Sequence, residues 1–349
     1  MPEDVLMLIL SRLPVKSLLR FKSVCKNWYS LIQSPCFISL HNNRSPKKES
    51  LLVKRLIKPH PTFSLSLVSN ETPIHDLDVP FVSPRFHDLH LSGSSNGVVC
   101  LTDPSTKIIM LYNPAMREFR LLPQPYFGID NICNGLGFAF DPKTNDYKVL
   151  IVVRLYKTND RRVQIYDTST DSWREIVAIV PKDIQFCSRP YRLTWLDGVF
   201  YWVASDPNSS YYTIIAFHMF DELFEQVFLP EVFRIASVCS LSVLRGSLAL
   251  VTSELGSLTA ESCLDIWVRD GNGVKDPWNK KYSIGPKLRL HDLLGFRQNG
   301  ELLLSWGGDF QMVSYNLSTQ NIKEYDLRSI NFEVLSYTEN LVSVKRCVY

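Results

Sequence analysis

Apolar residues at the start of the chain recur every three or four positions. Leu6, Ile9, Leu10 and Leu13 fall on one helical face. Pro2 suits a first helical position, and Glu3 and Asp4 favour the positive end of the helix dipole. Pro14 lacks an N–H and clashes with the preceding turn, so it stops that helix. A second short helix puts Leu18 and Phe21 on one side. A third carries Val24, Cys25, Trp28, Leu31 and Ile32, and Ser34-Pro35 ends it. The pattern predicts three short helices within residues 2–33. Three such helices bury too little surface to stand alone, so their apolar excess, Trp28 included, must be covered by the chain's own body or by another protein. A small helical module with surplus apolar surface is a docking element.

Residues 42–50 are polar and read as a linker. After them the hydrophobic period falls from about 3.6 to 2 and stays there. Strand-like runs cover residues 51–57, 63–68, 98–102, 108–112, 148–153, 163–166, 199–203, 248–252, 264–268, 302–306 and 312–315. No amphipathic helix intervenes, which predicts an all-β body.

That body repeats. Tyr112-Asn113-Pro114-Ala115-Met116-Arg117-Glu118-Phe119 matches Tyr166-Asp167-Thr168-Ser169-Thr170-Asp171-Ser172-Trp173. Further copies begin at Phe217 and Tyr315, and a looser one at Ile266. Each is an aromatic-ended strand, a polar turn and a second strand, and four of the five follow a strand led by a turn glycine (Gly97, Gly198, Gly246, Gly300). An interval of about 50 residues with three or four strands per unit predicts a β-propeller of about six blades. Residues 51–68, with terminal strands at 332–337 and 341–344, would make the closing blade. A twisted pair of β-sandwiches is the alternative, and register alone does not separate the two.

Charge sharpens this division. Residues 1–60 hold eleven Lys/Arg against Glu3, Asp4 and Glu49, a balance of +8. The remaining residues hold 27 bases against 32 acids, a balance of −5. A basic head on a mildly acidic body points to two surfaces with different partners. Nucleic acid is one partner for the head's Lys16, Arg20, Lys22 and Lys26. Their interleaving with apolar positions favours a protein interface. Hydrophobic residues at 45% and charged residues at 21% exclude a disordered or membrane-embedded class.

Catalytic and metal chemistry find little support. Eight scattered cysteines without a Cys-x-x-Cys pair read as reduced, buried thiols. The acidic Met1-Pro2-Glu3-Asp4 start does not read as a signal peptide, so the sequons at Asn70, Asn208 and Asn316 are expected to be chance matches. Gly93-x-Ser95-x-Gly97 has a strand after it where a nucleophile elbow needs a helix, so it reads as a turn. His87-Asp88-Leu89-His90 lacks a third metal ligand at suitable spacing. Gly307-Gly308-Asp309 reads as a hairpin turn, since no Lys-Ser/Thr follows. Trp173, Trp195, Trp202, Trp267, Trp278 and Trp306 recur within the repeats and read as core. Loop aromatics with neighbouring arginines, namely Tyr126, Phe127, Arg189, Tyr191, Arg192, Tyr211 and Tyr212, are the candidate target-binding residues.

The stretch from Pro2 to Trp28 resembles the F-box across its length. Its most specific parts are the Leu13-Pro14 break, the Leu18/Arg20-Phe21 step and Val24-Cys25-Lys26-x-Trp28. Met1 stands where the family usually has Leu, which implies a weaker first contact. The body resembles the kelch-like plant F-box-associated domain at Gly93-Ser94-Ser95-Asn96-Gly97, Tyr112-Asn113-Pro114, Leu136-Gly137-Phe138, Asn145-Asp146-Tyr147-Lys148-Val149, Asp171-Ser172-Trp173-Arg174 and Ile266-Trp267-Val268. Residues 165–175 and 278–286 look most similar to pollen S-locus F-box and S-locus F-box-like proteins.

The resemblance implies a small all-α F-box of three helices over residues 1–40, a linker over 41–50, and an all-β substrate-binding body over 51–346. It implies a non-catalytic receptor subunit of an SCF-type (Skp–cullin–F-box) ubiquitin ligase, with no cofactor, metal, nucleic acid or membrane. Pro2, Leu6, Ile9, Leu10, Leu13, Pro14, Leu18, Phe21, Val24, Cys25 and Trp28 would bind a Skp-type adaptor. The adaptor would tether the chain to a cullin scaffold and a RING subunit, and the body would hold a target, in the S-locus subgroup a style ribonuclease. A cytoplasmic or nuclear location follows. The alternatives are a general plant F-box receptor for immune or metabolic targets, and a non-ligase propeller binding protein.

Overall fold

The computed structural model describes residues 2–44, 48–57, 62–69, 74–77, 88–126, 132–155, 158, 160–178, 185–186, 193–205, 212–229, 237–254, 262–271, 276–288 and 290–345. The chain divides into two compact units. One comprises residues 1–52, 65–124 and 335–349, the other residues 53–64 and 125–334.

The first unit opens with α1 (Glu3–Leu10), α2 (Val15–Phe21), α3 (Lys26–Gln33) and α4 (Pro35–Arg44). The fourth helix corrects the expectation of three helices and a linker from residue 41. Ser34-Pro35 ends α3 but also starts α4. Pro35 sits at a first helical position, where its missing N–H costs nothing. The Ser34 hydroxyl accepts from the Phe37 N–H at 3.2 Å, as an N-cap does.

The strands follow in order: β1 (Ser50–Ile57), β2 (Thr62–Val68) and β3 (His75–Asp76); then β4 (His90–Ser95), β5 (Val98–Asp103), β6 (Ile108–Asn113) and β7 (Glu118–Leu121). The second unit continues with β8 (Ile132–Asp141), β9 (Asp146–Arg154), β10 (Arg161–Asp167) and β11 (Ser172–Ile176). Next come β12 (Gln185–Phe186), β13 (Thr194–Leu196), β14 (Val199–Ser205), β15 (Tyr212–His218) and β16 (Leu223–Val227). Then come β17 (Ser237–Leu244), β18 (Ser247–Glu254), β19 (Ser262–Arg269), β20 (Trp278–Leu288), β21 (Leu290–Phe296), β22 (Leu302–Trp306), β23 (Gln311–Tyr315) and β24 (Ile322–Arg328). The last strand, β25 (Phe332–Tyr337), joins β1 to give the sheet order β25-β1-β2-β3. With the sheets β4–β7, β8–β11, β12–β16, β17–β20 and β21–β24 this makes six, the blades of a six-blade β-propeller. The sandwich alternative is set aside.

The expected terminal strand at 341–344 does not form. Leu341 and Val344 are both buried, a spacing of three that a strand's alternation does not allow.

The repeats share one backbone device. The fifth residue after the aromatic takes positive φ in each: Arg117 (53°), Asp171 (51°), Glu222 (55°) and Gln320 (59°). The aromatics themselves, Tyr112, Tyr166, Phe217 and Tyr315, are buried. Before the first of these repeats, Asn96 and Gly97 both have positive φ (44° and 73°), the type I′ geometry that matches strand twist.

Packing in the second unit runs between sheets: Phe200, Trp202 and Phe217 share a core with Leu150, Val163 and Ile165. Trp173, Trp202 and Trp278 are buried, in line with a core role. The thiols depart from expectation: Cys100 is buried, but Cys25, Cys36 and Cys263 are exposed.

Candidate protein-docking face

The helical head builds its own small core. Leu10, Val15, Leu18, Leu31, Ile32 and Phe37 are enclosed, with Leu6, Leu13, Phe21 and Trp28 half-buried at its margin. Phe21 and Trp28 meet edge to face at 5.4 Å. His41, 1% exposed, places Nε2 2.9 Å from the Leu13 carbonyl and ties α4 to the end of α1.

The sequence-predicted adaptor residues therefore divide. Pro2, Ile9, Pro14, Val24 and Cys25 are exposed. Leu6, Leu13, Phe21 and Trp28 present partial surfaces. Leu10 and Leu18 are enclosed and can reach a partner only through the residues they position. Three exposed apolar residues escaped the sequence reading: Val5, Leu8 and Tyr29. Their signal is an apolar residue off the core stripe of a helix too short to bury two faces. Together Val5, Leu8, Ile9 (50% exposed) and Val24 (61% exposed) leave large aliphatic side chains in solvent within a module of four helices. Arg12, Lys16, Arg20 and Lys26 are exposed beside them.

The head also has a seat. Leu341, Ala115 and Met116 join its core. Below them, Asn113 Oδ1 accepts from the Ala115 and Met116 N–H groups at 3.0 and 3.2 Å. Its Nδ2 donates to Asn340 Oδ1 at 3.0 Å and to the Val342 carbonyl at 2.7 Å. Lys22 lies against the same region; burial pulls its pKa down, and the nearby Glu118 carboxylate opposes that pull.

In the second unit, Tyr126 is exposed, and its hydroxyl donates to the Trp173 carbonyl of β11 at 2.7 Å. Tyr212 is half-buried at the start of β15. Phe127, Arg189, Tyr191, Arg192 and Tyr211 lie outside the described residues. Of the candidate target residues, only Tyr126 and Tyr212 fall among the described residues. Sequence reasoning missed a set of charged and aromatic contacts among residues 143–223. Lys143 Nζ sits 4.0 Å over the Phe220 ring, Arg174 pairs with Glu222 and Asp167, and Leu223 is exposed nearby in sequence.

Among the described residues no group of three His, Cys, Asp or Glu could hold a metal. His90 pairs with Asp88 at 3.2 Å. No helix among the described residues is long and apolar enough to cross a membrane.

The F-box domain model matches residues 1–40, and that of the F-box associated beta propeller domain matches residues 51–346. The chain belongs to the F-box proteins that carry this propeller. An F-box protein of Arabidopsis thaliana is 28% identical over 281 residues, covering 77% of this chain and 73% of that one. An Arabidopsis thaliana F-box/kelch-repeat protein is 27% identical over 303 residues, covering 81% and 79%. The F-box protein CPR1 of the same plant is 24% identical over 373 residues, covering 98% and 87%. In this F-box protein, then, the exposed aliphatic residues of the head lie on the module that names the family.

Proposed function

We propose that this F-box protein is the substrate receptor of an SCF-type ubiquitin ligase. The observation that carries the reading is the exposure of Val5, Leu8, Ile9 and Val24 on an F-box joined to a propeller body. Four exposed aliphatic side chains on so small a module suit a partner that covers them. A Skp-type adaptor is the partner that an F-box implies, and through it the chain meets a cullin scaffold and a RING subunit. Arg12, Lys16, Arg20 and Lys26 suit an acidic partner surface, speeding encounter more than adding affinity. Pro2, Pro14, Cys25 and the open parts of Leu13, Phe21 and Trp28 complete the contact.

The chain itself performs no covalent step in this scheme. It raises the effective concentration of a target lysine near a ubiquitin thioester held by another subunit. The target is a protein held by the propeller. The finer reading, a basic style ribonuclease bound in pollen, is supported by the S-locus resemblance of residues 165–175 and 278–286 and by the body's −5 balance. A general plant F-box receptor is supported by the near full-length alignment with CPR1.

Mixing the purified chain with a plant Skp-type adaptor tests the ligase reading. A stable complex that Val24→Asp abolishes is the expected result. No binding by the folded chain would sink it. Capture from pistil and pollen extracts with the full chain then separates the two target readings: enrichment of a style ribonuclease supports the first, its absence beside other reproducible targets the second.

A further inference from the structure

The last described residues make no strand, yet they are among the most firmly held in the first unit. Asn340 is 3% exposed, Leu341 2% and Val344 6%. The Asn340 amide is used on both sides. Its Nδ2 donates to the Asn96 carbonyl in the β4–β5 turn. Its Oδ1 accepts from Asn113 Nδ2 at 3.0 Å and from the Val342 N–H at 3.1 Å. Gly97 leaves the room for this amide: a Cβ there would lie 2.3 Å from Asn340 Cγ. One residue on, Leu341 enters the apolar core of the helical head, beside Ala115 and Met116 of the β6–β7 turn. Ser343 then donates to Glu118 of β7 at 2.6 Å, and Lys345 approaches the same carboxylate at 3.9 Å. Tyr337 Oη receives the Ala115 N–H at 3.2 Å where β25 ends.

Residues 337–345 thus touch two turns and two strands of the β4–β7 sheet and the core of the head. We propose that this segment is a strap that locks the head onto the β4–β7 sheet, with Asn113 and Asn340 as positioning residues for the docking face. The head's orientation is set by these contacts and not by its covalent connection through residues 45–47. Two buried amides in mutual hydrogen bonding resist separation because each would be left unpaired out of water. An F-box on a slack tether would let its adaptor swing; on the strap it moves with the sheet. The consequence for aim rests on the adaptor-docking reading above, but the strap itself does not.

The test replaces residues 45–47 of the full chain with a specific protease site and cuts it. The expected result is that residues 1–44 stay with the rest through size-exclusion chromatography. With Asn340→Ala and Leu341→Ala together, retention should fall by more than about tenfold. Near-ultraviolet circular dichroism of each sample reports whether the sheets remain folded. Should the double variant unfold, Asn113→Asp, which keeps the turn acceptor and removes the donor to Asn340 and Val342, takes its place. Dissociation of the cut head from the otherwise unchanged chain would overturn the proposal, as would full retention in a folded strap variant. Adaptor binding by the uncut chains is measured alongside. Its absence with the head still retained would count against the ligase reading and leave the strap standing.

Discussion

The Asn113 side chain donates to Asn340 Oδ1 at 3.0 Å across 227 residues of sequence, while its own oxygen caps the turn that follows it. The matching residue of the last repeat, Asn316, makes only the local half of this arrangement among the bonds described: its Oδ1 accepts from the Ser318 and Thr319 N–H groups at 3.0 and 2.9 Å. The same residue type at the same repeat position therefore does two jobs in one sheet and one in another.

This contrast yields a paired prediction. Asn113→Asp keeps the cap but turns a buried donor into a charged acceptor facing Asn340 Oδ1 and the Val342 carbonyl. It should cost about 1–3 kcal/mol for each group left unpaired. Asn316→Asp keeps its cap at an exposed turn and should stay within about 0.5 kcal/mol of the native chain. Urea unfolding of the two variants checks both; equal losses would show that the long-range bond contributes nothing.

On the head, exposure separates binding from folding. Ile9→Asp and Val24→Asp should abolish adaptor binding with little change in thermal midpoint, since both side chains face solvent. Leu18→Ala removes a fully enclosed side chain and should cost about 2–5 kcal/mol of stability. Calorimetric titration with the adaptor and thermal scans on the same samples distinguish the two classes. Normal adaptor affinity in Val24→Asp would place the docking face elsewhere.

These positions also show how far the sequence could be read. The three-to-four spacing located α1 to α3, because an amphipathic stripe is a local property. The same stripe misled on the site: Leu10 and Leu18 looked like contact residues and are the head's core. Val5 and Leu8, off the stripe, are exposed together with Ile9, which lies on it. α4 was missed because Ser34-Pro35 is both a stop and a start, and because only Phe37 and His41 of α4 are buried, too sparse a pattern to announce a helix. The blades were legible through alternation and a fifth-residue turn that recurs four times. The strap was not, since Asn340 and Leu341 gain their roles only from Asn96, Asn113 and the helices, all distant in sequence. The tryptophans were read as core because large aromatics inside repeats rarely have another place to go.

In the second unit, close packing makes Gly137 a sensitive position. A Cβ there would lie 2.8 Å from Cε1 and Cζ of the Phe200 ring, which is itself buried. Gly137→Ala should therefore destabilise by about 1–3 kcal/mol through overpacking. Adding Phe200→Leu should recover part of that loss, although the substitution is costly alone. A double-mutant cycle by chemical denaturation measures the coupling; simple additivity would mean that the ring moves aside freely.

Lys54 and Glu333 form a pair at 3.1 Å with side chains only 6% and 7% exposed. Desolvation consumes much of such a pair's attraction, so its value lies in each charge offsetting the other out of water. Lys54→Met should cost about 3–5 kcal/mol, because it removes the cation that offsets a buried carboxylate. Lys54→Met with Glu333→Leu should return to within about 1–2 kcal/mol of the native chain. Unfolding free energies of the two single variants and the double variant decide this. A double variant no better than the worse single one would show that the pair is a net stabiliser.

Acid sensitivity should centre on two buried aspartates at strand ends, Asp103 of β5 and Asp141 of β8. Burial pushes the Asp141 carboxyl up, but the Thr144 hydroxyl, the Lys143 N–H and the Lys148 ammonium at 3.2 Å together hold its pKa below the ordinary value. At Asp103 burial is likewise outweighed, here by bonds from Ser105, Thr106 and Asp88. For a carboxylate with a depressed folded pKa, the stabilisation is present above the unfolded value of about 3.9 and is lost as pH falls through the folded value. The folded protein should thus weaken steeply as pH drops below about 4. Asp141→Asn should be less stable at neutral pH, where Lys148 loses a partner, and should show a shallower acid limb because one proton-linked group is gone. Unfolding free energy measured across the acid range checks the sign. An acid limb of unchanged slope in both Asp141→Asn and Asp103→Asn would assign the acid sensitivity to other carboxylates.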